Sequence, residues 1–306
     1  MLGSGELARR VQQAYQMLGC CRLCPRECGV DRLAGQRGSC GAAEAVVVSS
    51  WNLHPWEEPP ISGQRGSGTI FVSGCTGHCR FCQNYPISQW MRGQEVGVSR
   101  LALMMLELQG RGAHNINLVS ATHFVPQWLA ALLVAAEAGL RLPIVYNCSG
   151  YEQVEVLRLL DGVVDIYLPD AKYADDQTAQ DLSGFRAYVR HNRQTLREIF
   201  RQVGPTLVLD EHGIARRGMI VRHLVLPGGL AGTERVFAWI AQALGVDLHV
   251  SLMNQYFPTF KAVEHPLLGR KVTESEYEAA TEVVSQLGFA NGWLQECATQ
   301  ETEVEA

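Results

Sequence analysis

No stretch of the 306-residue chain is apolar for long enough to span a bilayer. The best run, Trp128 to Val134, is short and continues into an amphipathic pattern. The first ten residues hold no apolar signal core. Basic charge is not in excess: the formal net charge is −5, so nothing points to nucleic acid or an anionic membrane as a partner. There is no low-complexity tract and no repeat beyond a β/α alternation. A cytoplasmic protein without a membrane or nucleic-acid partner is the expectation. Hydrophobic residues make up 47% of the chain, enough for one large α/β domain with a small appendage.

Cysteine, by contrast, is plentiful and clustered. The chain has ten, most of them in two dense groups. Without an export signal, such groups read as metal ligands and not as disulfides. The central group is Cys75, Cys79 and Cys82, spaced C-x3-C-x2-C directly after the β-branched run Thr69 to Val72. Three thiolates so close hold three corners of a cuboidal iron–sulfur cluster, and a fully protein-ligated cluster needs a fourth cysteine. None follows nearby, which leaves one iron open to a small ligand. A zinc loop is the competing reading, but zinc favours two paired ligand couples. His78, between two of the cysteines, is expected to face solvent or substrate.

The other group lies at 20–40. Its natural set is Cys21-x2-Cys24-x3-Cys28-x11-Cys40, with Cys20 as a spare. Four thiolates suit tetrahedral zinc or a complete iron–sulfur cluster, and the sequence does not separate the two. A thiolate cluster with an open iron is oxygen-sensitive, which points to an anaerobic or reducing setting.

From residue 66 onward the chain alternates. Apolar β runs at 69–73, 115–121, 143–148, 164–169, 220–226 and 248–253 are separated by helical patterns at 98–111, 126–139, 152–161, 175–203 and 231–244, and another follows at 274–287. Six strands alternating with helices predict a parallel sheet, either open and doubly wound or closed toward a barrel. In both, chemistry collects at the C-terminal ends of the strands. The expected division is a helix and cysteine-rich lobe over 1–66, a core domain over 67–298 and a frayed tail over 299–306.

The central triplet and its flanks resemble the radical SAM superfamily. Glu57-Glu58-Pro59-Pro60-Ile61-Ser62-Gly63, then Gly66-Ser67-Gly68-Thr69-Ile70-Phe71, then Gly74-Cys75 and Cys82-Gln83-Asn84 look like the branch related to pyruvate formate-lyase activating enzymes. The resemblance implies a partial (β/α)6 barrel, a 4Fe-4S cluster on Cys75, Cys79 and Cys82, and S-adenosyl-L-methionine on the open iron. It further implies reductive cleavage of that cofactor to a 5′-deoxyadenosyl radical, an external electron donor of the flavodoxin or ferredoxin type, and hydrogen abstraction from a glycine of a partner glycyl-radical enzyme. Two alternatives stand beside it: a radical SAM enzyme acting on another small or peptidyl substrate, and a non-catalytic metal-binding or electron-transfer protein.

The strand ends supply the remaining candidates. Ser120-Ala121-Thr122-His123 stands where the related activators carry Gly-Gly-Glu against the cofactor's amino group, so Ser120, Thr122 and His123 are candidate contacts, or Thr122 and His123 begin the next helix. By the same resemblance, Asn147 and Ser149 stand where the ribose hydroxyls are met. Asp170-Ala171-Lys172 matches the Asp-x-Lys signature of glycyl-radical-enzyme activators, and on an extended chain the acid and amine share one face. Arg222, on an otherwise apolar strand, needs an anion: the cofactor's carboxylate or a structural acid. Asn254 and Gln255 end the last strand, facing a substrate amide, the adenine edge or loop backbone.

Overall fold

The computed structural model describes residues 3–295. The strands are β1 (Val46–His54), β2 (Ser67–Val72), β3 (Gln94–Val96), β4 (Ile116–Val119), β5 (Ile144–Cys148), β6 (Ile166–Pro169), β7 (Val208–Leu209), β8 (Ala215–Leu224), β9 (His249–Met253) and β10 (Gly292–Leu294). The six apolar runs read from the sequence become β2, β4, β5, β6, β8 and β9, and each pairs in parallel with the next. The sheet order is β10-β9-β8-β6-β5-β4-β2-β1-β3, with β7 paired to β8. Among the described strands only β1, β3 and β7 run antiparallel to their neighbours. The helices are α1 (Glu6–Gln16), α2 (Pro59–Ser62), α3 (Tyr85–Ser88), α4 (Val98–Gly110), α5 (Val125–Glu137), α6 (Val154–Leu160), α7 (Asp176–Ser183), α8 (Tyr188–Val203), α9 (Thr233–Leu244) and α10 (Glu274–Gln286). None of the described helices is long and apolar enough to cross a membrane.

Alternation of side chains along the strands builds two cores. Ile144, Tyr146, Tyr167, Met219 and Val221 point outward into the helical layer, where Trp128 of α5 packs 5.9 Å from the Tyr146 ring. Val145, Ile166, Leu168 and Ile220 point the other way, onto Ile61 of α2. Both faces of the parallel strands are thus covered, as such sheets require. Ile61 is fully buried and plugs the concave side. Segments on either side of residue 66 share the larger core: Leu7, Ala14, Cys21 and Leu23 pack in one cluster with the helical layer.

The concave side is curved, and one carboxylate measures it. Glu57 accepts from Asn117 Nδ2 of β4 at 2.8 Å and pairs with Arg222 of β8. Three inter-strand steps separate those strands, about 14 Å in a flat sheet. A single carboxylate reaches both only because the sheet curls into a cup. Arg222 also binds Glu58, at 2.5 Å. The α/β fold with a mostly parallel, partly closed sheet is therefore as expected, with short edge strands added.

One helical run departs from the expectation. The 175–203 pattern is two helices, α7 and α8, broken at 184–187. Gly184 and Ala187 both take left-handed backbone, with φ of 65° and 48°. Gly184 ends α7 in the conformation that glycine favours at helix C-termini. The tail at 299–306 lies outside the described residues.

Burial pushes the Glu58 carboxyl up, and the Arg222 guanidinium more than offsets this, holding it below the usual range. Arg222→Gln strands two acids in the cup, and is expected to destabilise the fold by about 3–5 kcal/mol at neutral pH. In the wild type the paired acid contributes stability that is lost as pH falls through its lowered pKa. In the variant the unpaired acid is relieved by protonation. The gap between the two proteins should therefore narrow between about pH 7.5 and pH 4.5 in urea titrations, and a gap that widens would refute the pairing as the source.

Candidate active site

Strand direction gathers the candidates at one end of the cup. β2, β4, β5 and β6 all deliver their C-terminal ends to the same rim, and a cavity of about 120 Å³ opens there. Cys75, Cys79 and Cys82 line it together with Ser120, Ser149, Asp170 and Lys172, while Phe71 and Phe185 form apolar wall. Two larger cavities, each about 650 Å³, hold no thiol; one lies at the opposite end of the strands, beside Arg65, His114 and Trp293. Volume alone would misplace the chemistry.

The cysteine loop is shaped by close backbone contacts. Gly74 sits at φ 84°, and a Cβ there would lie 2.4 Å from the Cys40 carbonyl. A Cβ on Gly77 would lie 2.6 Å from the Phe185 ring. Each sulfur meets one protein hydrogen-bonding group. The Gly77 N–H donates to Cys75 Sγ at 3.3 Å, the Ser183 hydroxyl to Cys79 Sγ at 3.0 Å, and the Ser88 hydroxyl lies 3.1 Å from Cys82 Sγ. Such contacts tune the potential of an iron–sulfur group. Burial pushes the Cys75 thiol up to about 12 and raises Cys79 as well. As free thiols they are not poised as nucleophiles; a coordinated metal is what deprotonates such groups. Among the described residues, no three His, Cys, Asp or Glu side chains are set around a single metal ion. The three sulfurs frame a cavity and not a point, and among the described residues no fourth cysteine lines it. This donor set fits a multi-atom cluster with one corner free.

Asp170 and Lys172 stand opposite. Lys172 Nζ lies 2.6 Å from Asp170 Oδ2, with both side chains largely shielded. Desolvation pulls the Lys172 pKa down, but Asp170, joined by the sulfurs of Cys79 and Cys75 once these are ionised, outweighs it and holds the ammonium charged. The backbone is fixed from both sides: Asp170 N donates to the Cys148 carbonyl at 2.9 Å, and Ala171 N to that of Arg222 at 2.7 Å. Tyr188 of α8 completes the frame. Its hydroxyl accepts from Lys172 N at 2.9 Å and donates to the Ser149 carbonyl at 3.0 Å. Asn192 donates to the Asp170 carbonyl at 2.8 Å.

Ser120 reaches the cavity by an unusual route. It takes left-handed backbone (φ 51°, ψ 34°) at the end of β4, with its N–H on the Asn147 carbonyl at 2.8 Å. A non-glycine residue in that region is a local strain, of a kind that gathers at functional sites.

The other candidates lie elsewhere. Thr122 donates to Glu152 at 2.9 Å on the outer side of the sheet, next to the Tyr146 hydroxyl. His123 is buried, with Nε2 on the Ser73 carbonyl at 2.8 Å, and burial lowers its pKa to about 4. It lines a second, smaller pocket with Cys21, Cys24, Cys28 and Cys40. Asn147 shares the concave face with Val145 but is not part of the cavity wall. Arg222 is taken by Glu57 and Glu58, the structural alternative of its two readings. Gln255 offers its carbonyl to Gln83 at 2.8 Å, a loop-to-loop role. His78 bridges Ser39 at 2.9 Å and Gln89 at 3.1 Å. Ser88, Ser183, Phe185 and Tyr188 were not legible as site residues, because only the break between α7 and α8 and the turn into α3 bring them to the sulfurs.

Tyr188→Phe keeps the ring packing and removes the hydroxyl that Lys172 N and the Ser149 carbonyl use. A loss of about 1–3 kcal/mol is expected in chemical denaturation, and no loss would show that this frame is not held by the hydroxyl.

No protein-family model matches the chain. Over 283 residues it is 30% identical to "Uncharacterized protein MJ0674" of Methanocaldococcus jannaschii, covering 90% of this chain and 78% of that one. Among solved structures it is similar to a radical SAM methyltransferase from Sphaerobacter thermophilus, at 17% identity and a TM-score of 0.46, over 75% of this chain and 66% of that chain. It is also similar to HydG, a maturase of the [FeFe]-hydrogenase, at 12% identity and 0.47, over 71% and 48% of the two chains. Methylornithine synthase, PylB, matches at 12% and 0.46, over 69% and 59%. The chain spans just under two thirds of the first of these structures and about half to three fifths of the other two. At such similarity no activity carries over.

Proposed function

The chain belongs to the family of protein MJ0674 of Methanocaldococcus jannaschii, and from the geometry of its cysteine-lined cavity we propose that it is a radical SAM enzyme. The observation that carries the proposal is one cavity, at the C-terminal rim of a parallel cup, walled by Cys75, Cys79 and Cys82 and by the Asp170–Lys172 pair. The proposed cofactors are a 4Fe-4S cluster at this triplet, S-adenosyl-L-methionine, and zinc or a second iron–sulfur cluster at the N-terminal cysteines. When bound, the central cluster and its cofactor supply reductive cleavage of a carbon–sulfur bond and a 5′-deoxyadenosyl radical.

The chain's own residues do the rest. Three thiolates hold three corners and leave one open. Lys172 sets a fixed positive charge beside the sulfurs and Asp170 restrains it, so the charge stays with the site instead of moving to solvent. Ser120 and Ser149 present hydroxyls and backbone groups to a polar ligand, while Phe71 and Phe185 keep water from the wall. The Asp170-Ala171-Lys172 signature supports a glycine of a partner glycyl-radical enzyme as hydrogen source, with a flavodoxin- or ferredoxin-type protein as electron donor and the cytoplasm as setting. A second reading, a different small or peptidyl substrate, is favoured by one observation. Thr122 and His123, within the stretch that replaces Gly-Gly-Glu, turn away from the cavity.

Reconstituted anaerobically and reduced, the protein should convert S-adenosylmethionine to methionine and 5′-deoxyadenosine. Cys75→Ala, Cys79→Ala and Cys82→Ala should each abolish this, and cleavage retained by any of them sinks the assignment. Deuterium carried into 5′-deoxyadenosine from a labelled glycyl-radical enzyme separates the two substrate readings; its absence with that partner favours the second.

A further inference from the structure

The N-terminal cysteines are gathered with an unusual companion. Cys21, Cys24, Cys28 and Cys40 line one pocket, and Arg32 lines it with them. Cys20 is exposed and is not part of that wall. Arg32 is fully buried. Its guanidinium donates to the Ala43 carbonyl at 2.9 and 2.5 Å and to the His123 carbonyl at 2.5 Å; none of these partners is a carboxylate. A buried cation without an anion is strongly unfavourable. The other largely shielded cations of the two sites described above each have one: Arg222 has Glu57 and Glu58, and Lys172 has Asp170. Among the described residues no three of these thiols already surround a single-ion position; drawn in on zinc or spread over a 4Fe-4S core, the four thiolates would supply the missing anion, since either assembly carries a net charge of about −2.

The same lobe grips the central loop at three points, each beside a cysteine of both sets. Arg26 Nε donates to the Thr76 carbonyl at 2.5 Å. The Ser39 hydroxyl lies 2.9 Å from His78 Nε2. The Cys40 carbonyl packs so closely on Gly74 that no side chain fits between them. Displacing the 24–40 segment therefore displaces the backbone that carries Cys75.

We propose that Arg32 is the built-in counter-cation of a four-thiolate metal centre on Cys21, Cys24, Cys28 and Cys40, and that this centre, once loaded, clamps the central cysteine loop through Arg26, Ser39 and Cys40. The first half rests on metal binding at the N-terminal cysteines and is independent of the central chemistry; the clamp rests also on the central triplet holding a cluster.

The test uses the full chain with the central site removed, as the Cys75→Ala/Cys79→Ala/Cys82→Ala variant, reconstituted anaerobically with iron, sulfide and zinc. One metal centre per chain should remain by elemental analysis, as zinc or as iron with sulfide, and adding Cys24→Ala should remove it. A triple variant without stoichiometric metal overturns the site, whatever the central triplet does in the wild type. In the same background Arg32→Gln should lose metal to a chelator about tenfold faster, whereas Arg32→Lys, which keeps the charge and not the fork, should stay near the parent. Equal loss from the Gln and Lys variants overturns the counter-charge role. For the clamp, Arg26→Met/Ser39→Ala leaves every ligand in place. It should speed release of iron from the central triplet under the same challenge, with circular dichroism unchanged; unaltered release overturns the clamp.

Discussion

The ion cluster inside the cup is the interaction on which the remaining geometry depends. Glu57 and Glu58 come from the segment between β1 and α2, Asn117 from β4 and Arg222 from β8. Their convergence draws the two halves of the parallel sheet toward one another over the Ile61 plug. A buried ion pair is weak evidence for stability, because desolvation offsets much of the attraction. It is better evidence for specificity: an unpaired Arg222 in an apolar cup is so unfavourable that arrangements of the 57–63 segment that miss it are excluded. The curl that results is what turns four strand ends into the wall of one cavity.

Above that floor, position follows from topology. Parallel strands put all their C-terminal ends at one rim, so the turn after each strand is the natural place for ligand chemistry. Cys75 follows β2, Ser120 follows β4, Ser149 follows β5 and Asp170 follows β6. The α8 helix then locks two of these turns together. Tyr188 and Asn192, one helical turn apart, spend their polar groups on the backbone of 149–150 and 170–172. The pair Asp170–Lys172 is thereby oriented by hydrogen bonds that neither of its own side chains makes.

Much of this was legible in the residues, and the failures have physical causes. The six apolar runs are rich in β-branched residues and bounded by turns, which marks them as parallel strands to within a few residues at their ends. The cysteine spacing placed three sulfurs in one loop, and alternation placed Asp170 and Lys172 on one face. Arg222 was legible as a residue needing an anion, but which anion depended on two glutamates 164 and 165 positions away, and periodicity carries no information about such a contact. The run at 175–203 has a helical pattern throughout, so the break at 184–187 was invisible until Gly184 and Ala187 took left-handed backbone. That break is also why Ser183 and Phe185 escaped notice: their value lies in which turn they end. Thr122 and His123 are polar residues at a strand end, but a short 3-10 turn at Ala121–Phe124 sends Thr122 to the outer side and His123 into the N-terminal cysteine pocket, while the strained Ser120 alone stays with the cavity.

The two cysteine sets differ in how their charge is met, and the difference follows from ligand number. Around the central triplet the nearest cation, Lys172, already has a carboxylate partner, so the three sulfurs face a nearly neutral pair. Around the N-terminal set the cation, Arg32, is fully enclosed and has carbonyls and the face of the Phe124 ring, but no carboxylate among the described residues. A site meant to exchange ligands gains from a wall whose charge is internally balanced, because a cofactor with its own ammonium and carboxylate then neither loses nor adds a large net interaction on entering. A site that is complete when four thiolates have bound exchanges nothing, and a permanent buried counter-charge stabilises it without hindering turnover. On the reading proposed above, the separation of the two cations, one paired with a carboxylate and one not, would distinguish a centre built to remain closed from a centre with a corner kept open.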